Sequence, residues 1–112
     1  MFGGFSNNSW KSYGSWVISR SSFIFTLTNP HEIPPTMFKL NGRNEKHIYD
    51  DNNFGPTFGG GYDIHISDRC NVSKCSTNFP FTYVDTTGKG NLTFNNEVEF
   101  MVSDIEVFGF KL

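Results

Sequence analysis

The sequence contains no alanine, no glutamine and only four leucines among its 112 residues. All three are strong helix formers, so their scarcity argues against a helical fold. Asparagine, serine and threonine are abundant instead, and these residues favour turns or, for threonine, strands. We therefore expect little helix.

Clustered positive charge is also lacking. Nine Lys and Arg residues against eleven Asp and Glu give a net charge of −2, and the basic residues are scattered singly from Lys11 to Lys111. Binding to a phosphate backbone or to an anionic membrane relies on a concentrated basic patch. We therefore expect neither nucleic acid nor a membrane as a partner.

Long apolar runs are missing as well. No run approaches the roughly 20 residues that a membrane-spanning helix needs, and residues 1–20 lack the basic and apolar regions of a signal peptide. The pattern predicts a cytoplasmic protein without membrane insertion. In such a reducing compartment, Cys70 and Cys75 are expected to remain thiols in a polar loop.

Aromatic residues are what the chain has in excess: 13 Phe, 4 Tyr and 2 Trp. A chain of this length supports one hydrophobic core, and a few large rings must fill most of it. Together with the shortage of helix formers, this composition predicts a single β-rich domain with an aromatic core.

Several segments have strand patterns. Residues 16–18 and 23–28 are rich in β-branched and aromatic side chains, and the second segment is apolar on both faces, as in the interior of a sandwich. After a proline-rich loop, residues 36–40 alternate as a strand does. Asn41-Gly42 is a strong hairpin signal, so we expect residues 46–49 to pair back onto that strand.

The remaining pattern predicts two more strands. Residues 62–66 alternate in hydrophobicity and follow a glycine turn, and residues 104–110 form a closing strand. Residues 67–93 have little periodicity and many turn formers, which predicts a long surface excursion. Because no helical pattern separates the strands, antiparallel pairing is favoured.

Four ordered motifs cover nearly the whole chain: Phe2-Gly3-Gly4-Phe5 with Ser9-Trp10, residues 23–29 (FIFTLTN), residues 54–64 (FGPTFGGGYDI), and Glu106-Val107-Phe108. In this order and at this spacing, they resemble the TLDc domain of the oxidation-resistance protein family. A triple glycine alone is weak evidence, whereas four ordered motifs are specific.

The resemblance implies a mostly β fold, a sandwich of antiparallel sheets with minor helix, and a non-catalytic role in resistance to oxidative stress. It also implies binding to the peripheral sector of the vacuolar-type proton ATPase. Residues 1–112 would form a TLDc-like domain that lacks the family's N-terminal helices and first strands. Such a domain would expose a sheet edge, through which it could self-associate.

The best candidate for a site is the glycine turn with the acids nearest the family motifs. No Gly-Lys-Ser/Thr follows the glycines and no helix begins there, so a structural turn is favoured over a phosphate-binding loop. Glu106 is either paired or simply faces water on its strand. We predict partner binding by Gly59, Gly60, Gly61, Asp63 and Glu106.

Two sets of side chains carry metal-ligating groups: His47, Asp50 and Asp51, and His65, Asp68 and Cys70. Neither has the paired spacing of a zinc site or the alternating acids of a calcium loop. Solvated acids and a strand histidine are the simpler interpretation, so we expect no metal and no cofactor.

Two alternatives to a protein-interaction module remain open. One is a ligand- or carbohydrate-binding sandwich, in which Trp10, Tyr13, Trp16 or Tyr83 stacks on a flat ligand. The other is a thiol-dependent antioxidant, in which Arg69 and Lys74 lower the pKa of the neighbouring cysteines. No nucleophile motif supports another enzyme, so we expect none.

Overall fold

The computed structural model describes residues 1–7, 14–51, 54–69, 72–95, 97–102 and 104. In this part of the chain, nine strands alternate with turns and a single short helix occurs. The strands are β1 (Phe2–Phe5), β2 (Ser15–Val17), β3 (Phe23–Thr26), β4 (Thr36–Lys39), β5 (Ile48–Asp50), β6 (Phe54–Phe58), β7 (Ile64–Ser67), β8 (Cys75–Thr77) and β9 (Glu99–Phe100), and the 3-10 helix is Gly90–Leu92.

The strands form two antiparallel sheets. The small sheet has the order β1-β3-β4, and the large sheet has the order β2-β5-β6-β7-β8-β9. Most neighbours in the large sheet are consecutive along the chain, as in a meander. The predicted mostly β fold with antiparallel sheets and minor helix is confirmed.

Each sheet contributes one face to a shared core. Ile24 and Phe38 of the small sheet and Ile48 of the large sheet are fully buried and belong to one hydrophobic cluster. At Gly4 of β1, a Cβ atom would overlap the ring of Phe58 in β6, so the backbone of one sheet lies directly against a side chain of the other. This close approach is that of a β-sandwich.

Aromatic rings fill the space between the sheets, as the composition predicts. Phe38 packs against Phe79 and Phe94 with ring centroids 4.8 and 5.7 Å away. The rings of Phe79 and Phe94 are 5.2 Å apart. All three are inclined to one another, the arrangement that aromatic pairs prefer.

The predicted hairpin at Asn41-Gly42 is wrong. Strand β4 pairs with β3, whereas β5 pairs with β2 and β6, so the two segments lie in different sheets. The turn itself exists, with Gly42 at φ +77°. Its Asn41 N–H donates to the Thr82 carbonyl instead of closing a hairpin, so the turn carries the chain from one sheet to the other.

The predicted surface excursion over residues 67–93 is also wrong in large part. This segment contains β8, and it places the side chains of Phe79, Thr82, Tyr83 and Thr93 in the interior. Periodicity fails to reveal them because most of the segment is irregular backbone held by individual hydrogen bonds. Except for Asp104, the predicted closing strand over residues 104–110 lies outside the described residues.

Candidate functional site

The glycine turn connects β6 to β7. Gly59 has φ +94° and Tyr62 has φ +63°, so the backbone enters the left-handed region twice within four residues. The Gly59 N–H donates to the His47 carbonyl at 2.8 Å, and the Tyr62 N–H donates to the Gly59 carbonyl at 3.0 Å. The turn is therefore a fixed structure.

Asp63, directly after the turn, is fully buried. Its carboxylate accepts hydrogen bonds from three consecutive backbone N–H groups, those of Phe81, Thr82 and Tyr83, at 2.8 to 3.1 Å. Burial raises the pKa of the Asp63 carboxyl, and these N–H groups act in the opposite direction. The carboxylate holds residues 81–83 against the glycine turn and does not face solvent.

The glycine turn contributes a second set of contacts to the same segment. The Gly60 N–H donates to Thr82 Oγ1 at 2.8 Å, and Asn78 Nδ2 donates to the Gly61 carbonyl at 3.0 Å. Asn41 Nδ2 donates to the Phe81 carbonyl at 2.8 Å. Residues 78–83 are thus fixed to both the turn and the end of β4.

These contacts leave the ring of Phe81 exposed. The residue is 52% accessible, although its backbone N–H and carbonyl are both hydrogen-bonded. The ring lies on Gly61, where a Cβ atom would overlap it. An exposed aromatic ring on a rigid backbone loses little entropy on binding. We define Phe81 and the residues that hold it, Gly59–Gly61 and Asp63, as the turn site.

Sequence reasoning located the glycines and Asp63 but missed Phe81. Phe81 stands between Phe79 and Tyr83, which are both buried, and no local pattern distinguishes its exposed ring from theirs. Glu106, the other acid predicted to bind a partner, lies outside the described residues, as do Trp10, Tyr13 and Cys70.

Two of the aromatic residues proposed to stack on a ligand, Tyr83 and Trp16, pack within the protein. Tyr83 is fully buried, and its hydroxyl donates to the His47 carbonyl at 3.0 Å. Burial raises the pKa of Tyr83 well above its ordinary value. Trp16 is half-buried, with Tyr49 and Tyr62 at 4.8 and 6.0 Å between ring centroids. Tyr83 is therefore excluded as an exposed stacking platform.

The two histidines of the predicted metal-ligating sets have contacts within the protein. His47 Nδ1 accepts the Ser19 N–H at 2.8 Å, and His65 Nδ1 lies 2.9 Å from Thr57 Oγ1. In the described ranges, no three His, Cys, Asp or Glu side chains come close enough to hold a metal ion. Cys75 is fully buried and accepts the Ser67 N–H at 3.4 Å, so it is not exposed to an oxidant in solution.

Over the residues that the structure describes, no helix is long and apolar enough to cross a membrane.

In the part of the chain that the structure describes, fold and site together define a mostly β protein with two antiparallel sheets and an irregular loop fixed onto a glycine turn. The sequence model of the TLDc domain matches residues 1–111, and the chain therefore belongs to the TLDc domain family. Neither the curated proteins nor the solved structures contain a match to this chain.

Proposed function

We propose that this chain is a non-catalytic protein-interaction module of the TLDc type that binds a peripheral subunit of the vacuolar-type proton ATPase. In the cytoplasm, this binding would support resistance to oxidative stress. Membership of the TLDc family supports the proposal. The structural observation behind the proposal is the turn site, in which the buried Asp63 carboxylate holds the exposed Phe81 in place.

The role of each residue in the turn site follows from its position. Phe81 is the contact residue, because its ring is the accessible part. Asp63 and the three glycines act through Phe81: the carboxylate fixes the backbone, and the glycines leave room for the ring. Aromatic anchors of this kind carry a large share of the binding energy in protein interfaces.

The test is co-purification of the tagged chain with subunits of the proton pump. We expect Phe81→Ser to reduce capture of a peripheral subunit by about tenfold, as loss of one aromatic anchor does. Leu92→Ser is the matched control, since Leu92 is also exposed but lies on the 3-10 helix. Equal capture by both variants contradicts the assignment of Phe81.

A third variant, Glu106→Gln, tests the acid of the closing motif, whose role in partner binding is a prediction from the sequence. We expect it to weaken capture of the same subunit without changing the thermal melting temperature of the chain. Absence of every pump subunit from the unmutated sample rejects the proposed partner.

A further inference from the structure

The outer face of the small sheet is apolar, which is unusual for a sheet whose other face already packs on a core. Ile24 and Phe38 point into the core, so the alternation of side chains places Phe23, Phe25 and Met37 on the opposite face. Met37 is 48% exposed there. Antiparallel sheets in sandwiches normally carry polar side chains on this side.

These side chains form a continuous surface. The rings of Phe5 and Phe23, paired across β1 and β3, stack with centroids 5.2 Å apart and an interplanar angle of 23°. Phe25 lies 6.3 Å from Phe23, and its register partner on β4 is Met37. The Phe25 ring lies against the backbone of β1, since a Cβ atom at Gly3 would be 2.9 Å from it.

One end of this surface is concave and positively charged. Arg20, Ser22, Phe23, Met37 and Lys39 are among the residues that line a depression of about 440 Å³ there. A partner that is complementary to Arg20 and Lys39 and to the apolar surface beside them has carboxylates next to an apolar stripe.

The ion pair that Arg20 already makes does not neutralise this end. Its Nη2 lies 3.7 Å from Glu45 Oε1, and both side chains are well exposed. An exposed pair of this kind contributes little to stability, so Arg20 exchanges Glu45 for another carboxylate at little cost.

We propose that this face, the small-sheet face of Phe5, Phe23, Phe25, Met37, Lys39 and Arg20, binds an acidic amphipathic helix of a partner protein. A helix is convex and about 10 Å wide, and it fits a depression. A lipid surface is met by protruding side chains, whereas Phe23 and Phe25 are half-buried and Phe23 lines a depression. A second copy of the chain would present the same concave, cationic end.

The direct test uses two labelled synthetic peptides of about 18 residues, each an amphipathic helix with leucines on one side. In the acidic peptide the polar side is glutamate, and in the basic peptide it is lysine. Fluorescence anisotropy with the 112-residue chain should detect binding of the acidic peptide and none of the basic one. Binding should weaken as salt is added, because salt screens exposed charges.

Variants locate the binding surface. The double variant Arg20→Glu/Lys39→Glu should weaken binding of the acidic peptide by about tenfold, as reversal of complementary charges does. Arg69→Glu/Lys89→Glu changes the net charge equally on exposed residues that do not line the depression. This control should bind as the unmutated chain does. Met37→Ser, which leaves the charges in place, should also weaken binding.

Four outcomes reject the proposal. In the peptide assay these are equal binding of both peptides and equal weakening of binding by both double variants. The others are a dimer in sedimentation that Met37→Ser dissociates, and capture of the chain by phosphatidylserine vesicles that depends on Arg20 and Lys39 and occurs without peptide binding. The dimer would identify a second copy as the occupant, and vesicle capture would identify a membrane. The turn site is not varied in these experiments, so they succeed or fail independently of pump binding.

Discussion

Asp63 shows how a buried acid determines the position of an exposed side chain. Its carboxylate lies at the start of β7, and its three N–H donors are 18 to 20 residues later in the sequence. Each of those N–H groups is at or near the buried interior, where an unsatisfied donor is costly. Asp63, which the sequence predicts to bind a partner, is therefore buried and instead fixes the backbone of residues 81–83.

Replacement of Asp63 should lower stability in a graded manner. Asp63→Ala leaves the N–H groups of Phe81, Thr82 and Tyr83 without an acceptor, and we expect the free energy of unfolding to fall by about 3–5 kcal/mol. Asp63→Asn keeps one acceptor oxygen and should lose less. Urea denaturation followed by tryptophan fluorescence measures both. Asp68→Ala, at an exposed acid, serves as the control and should change stability little.

Gly59 and Gly88 separate backbone strain from steric overlap. Both have positive φ, +94° and +78°, but a Cβ atom at Gly59 would overlap the Asp63 carboxylate, whereas nothing lies within 4 Å of one at Gly88. Gly88→Ala should cost about 1 kcal/mol, the strain of a left-handed residue. Gly59→Ala should cost at least about 3 kcal/mol, because Asp63 must also move. Equal costs in thermal melts would contradict this account.

At the scale of strands, alternation and composition predict much of the fold. The strands at Phe23–Thr26, Thr36–Lys39 and Ile64–Ser67 are found close to where the pattern places them. The hairpin fails because Asn41-Gly42 specifies a turn but not the partner of the strand that follows. That partner is decided by which sheet can bury Ile48, which pairs with Phe58 in the large sheet.

The separation of its residues along the sequence explains which parts of the turn site could be predicted. Glycines and an acid directly after them are visible locally, so Gly59 and Asp63 were identifiable. Phe81 and its backbone contacts are distant in sequence, and no local pattern marks them. Long-range pairing of an irregular segment depends on the assembled core, which periodicity does not describe.

His65 makes the large sheet sensitive to pH. Its ring stacks on Tyr62 at 5.1 Å and meets Phe54 edge to face at 4.8 Å. Burial lowers the pKa of His65 below its ordinary value of 6.5. Protonation is thus harder in the folded state, so its stabilising contribution is present above pH 6.5 and lost as pH falls through the folded-state pKa.

His65→Phe keeps a planar ring at this position and removes the titration. Thr57 Oγ1, which contacts the histidine, keeps its bond to the Gly55 carbonyl. We expect the unmutated chain to lose stability relative to the variant as pH falls from about 8 to about 5. Urea denaturation at several pH values measures the difference, and a constant difference would contradict the prediction.

At the scale of the whole molecule, the two sheets enclose Cys75, which is fully buried in the shared core. A thiol in this position reacts only when the sandwich opens. The burial therefore weighs against Cys75 as an oxidant sensor in the folded protein, and it makes the thiol a reporter of opening.

With Cys70→Ser as background, so that Cys75 is the remaining cysteine of the chain, a thiol-specific reagent should modify Cys75 at least about a thousandfold more slowly in buffer than in denaturing urea. Reaction followed by absorbance gives both rates. Rapid labelling in buffer would show that the thiol is accessible, and it would restore the thiol-dependent antioxidant as an alternative.

Tyr83 joins the two layers through contacts that are distant along the chain. Its hydroxyl lies 3.0 Å from Ser22 Oγ, 61 positions earlier, and it donates to the His47 carbonyl, 36 positions earlier. During synthesis, the first eight strands leave the ribosome before this residue does. The phenylalanine-rich surfaces of the nascent chain therefore remain exposed until the segment around Tyr83 is synthesised and buries them. Chaperones have a defined interval in which to bind these surfaces.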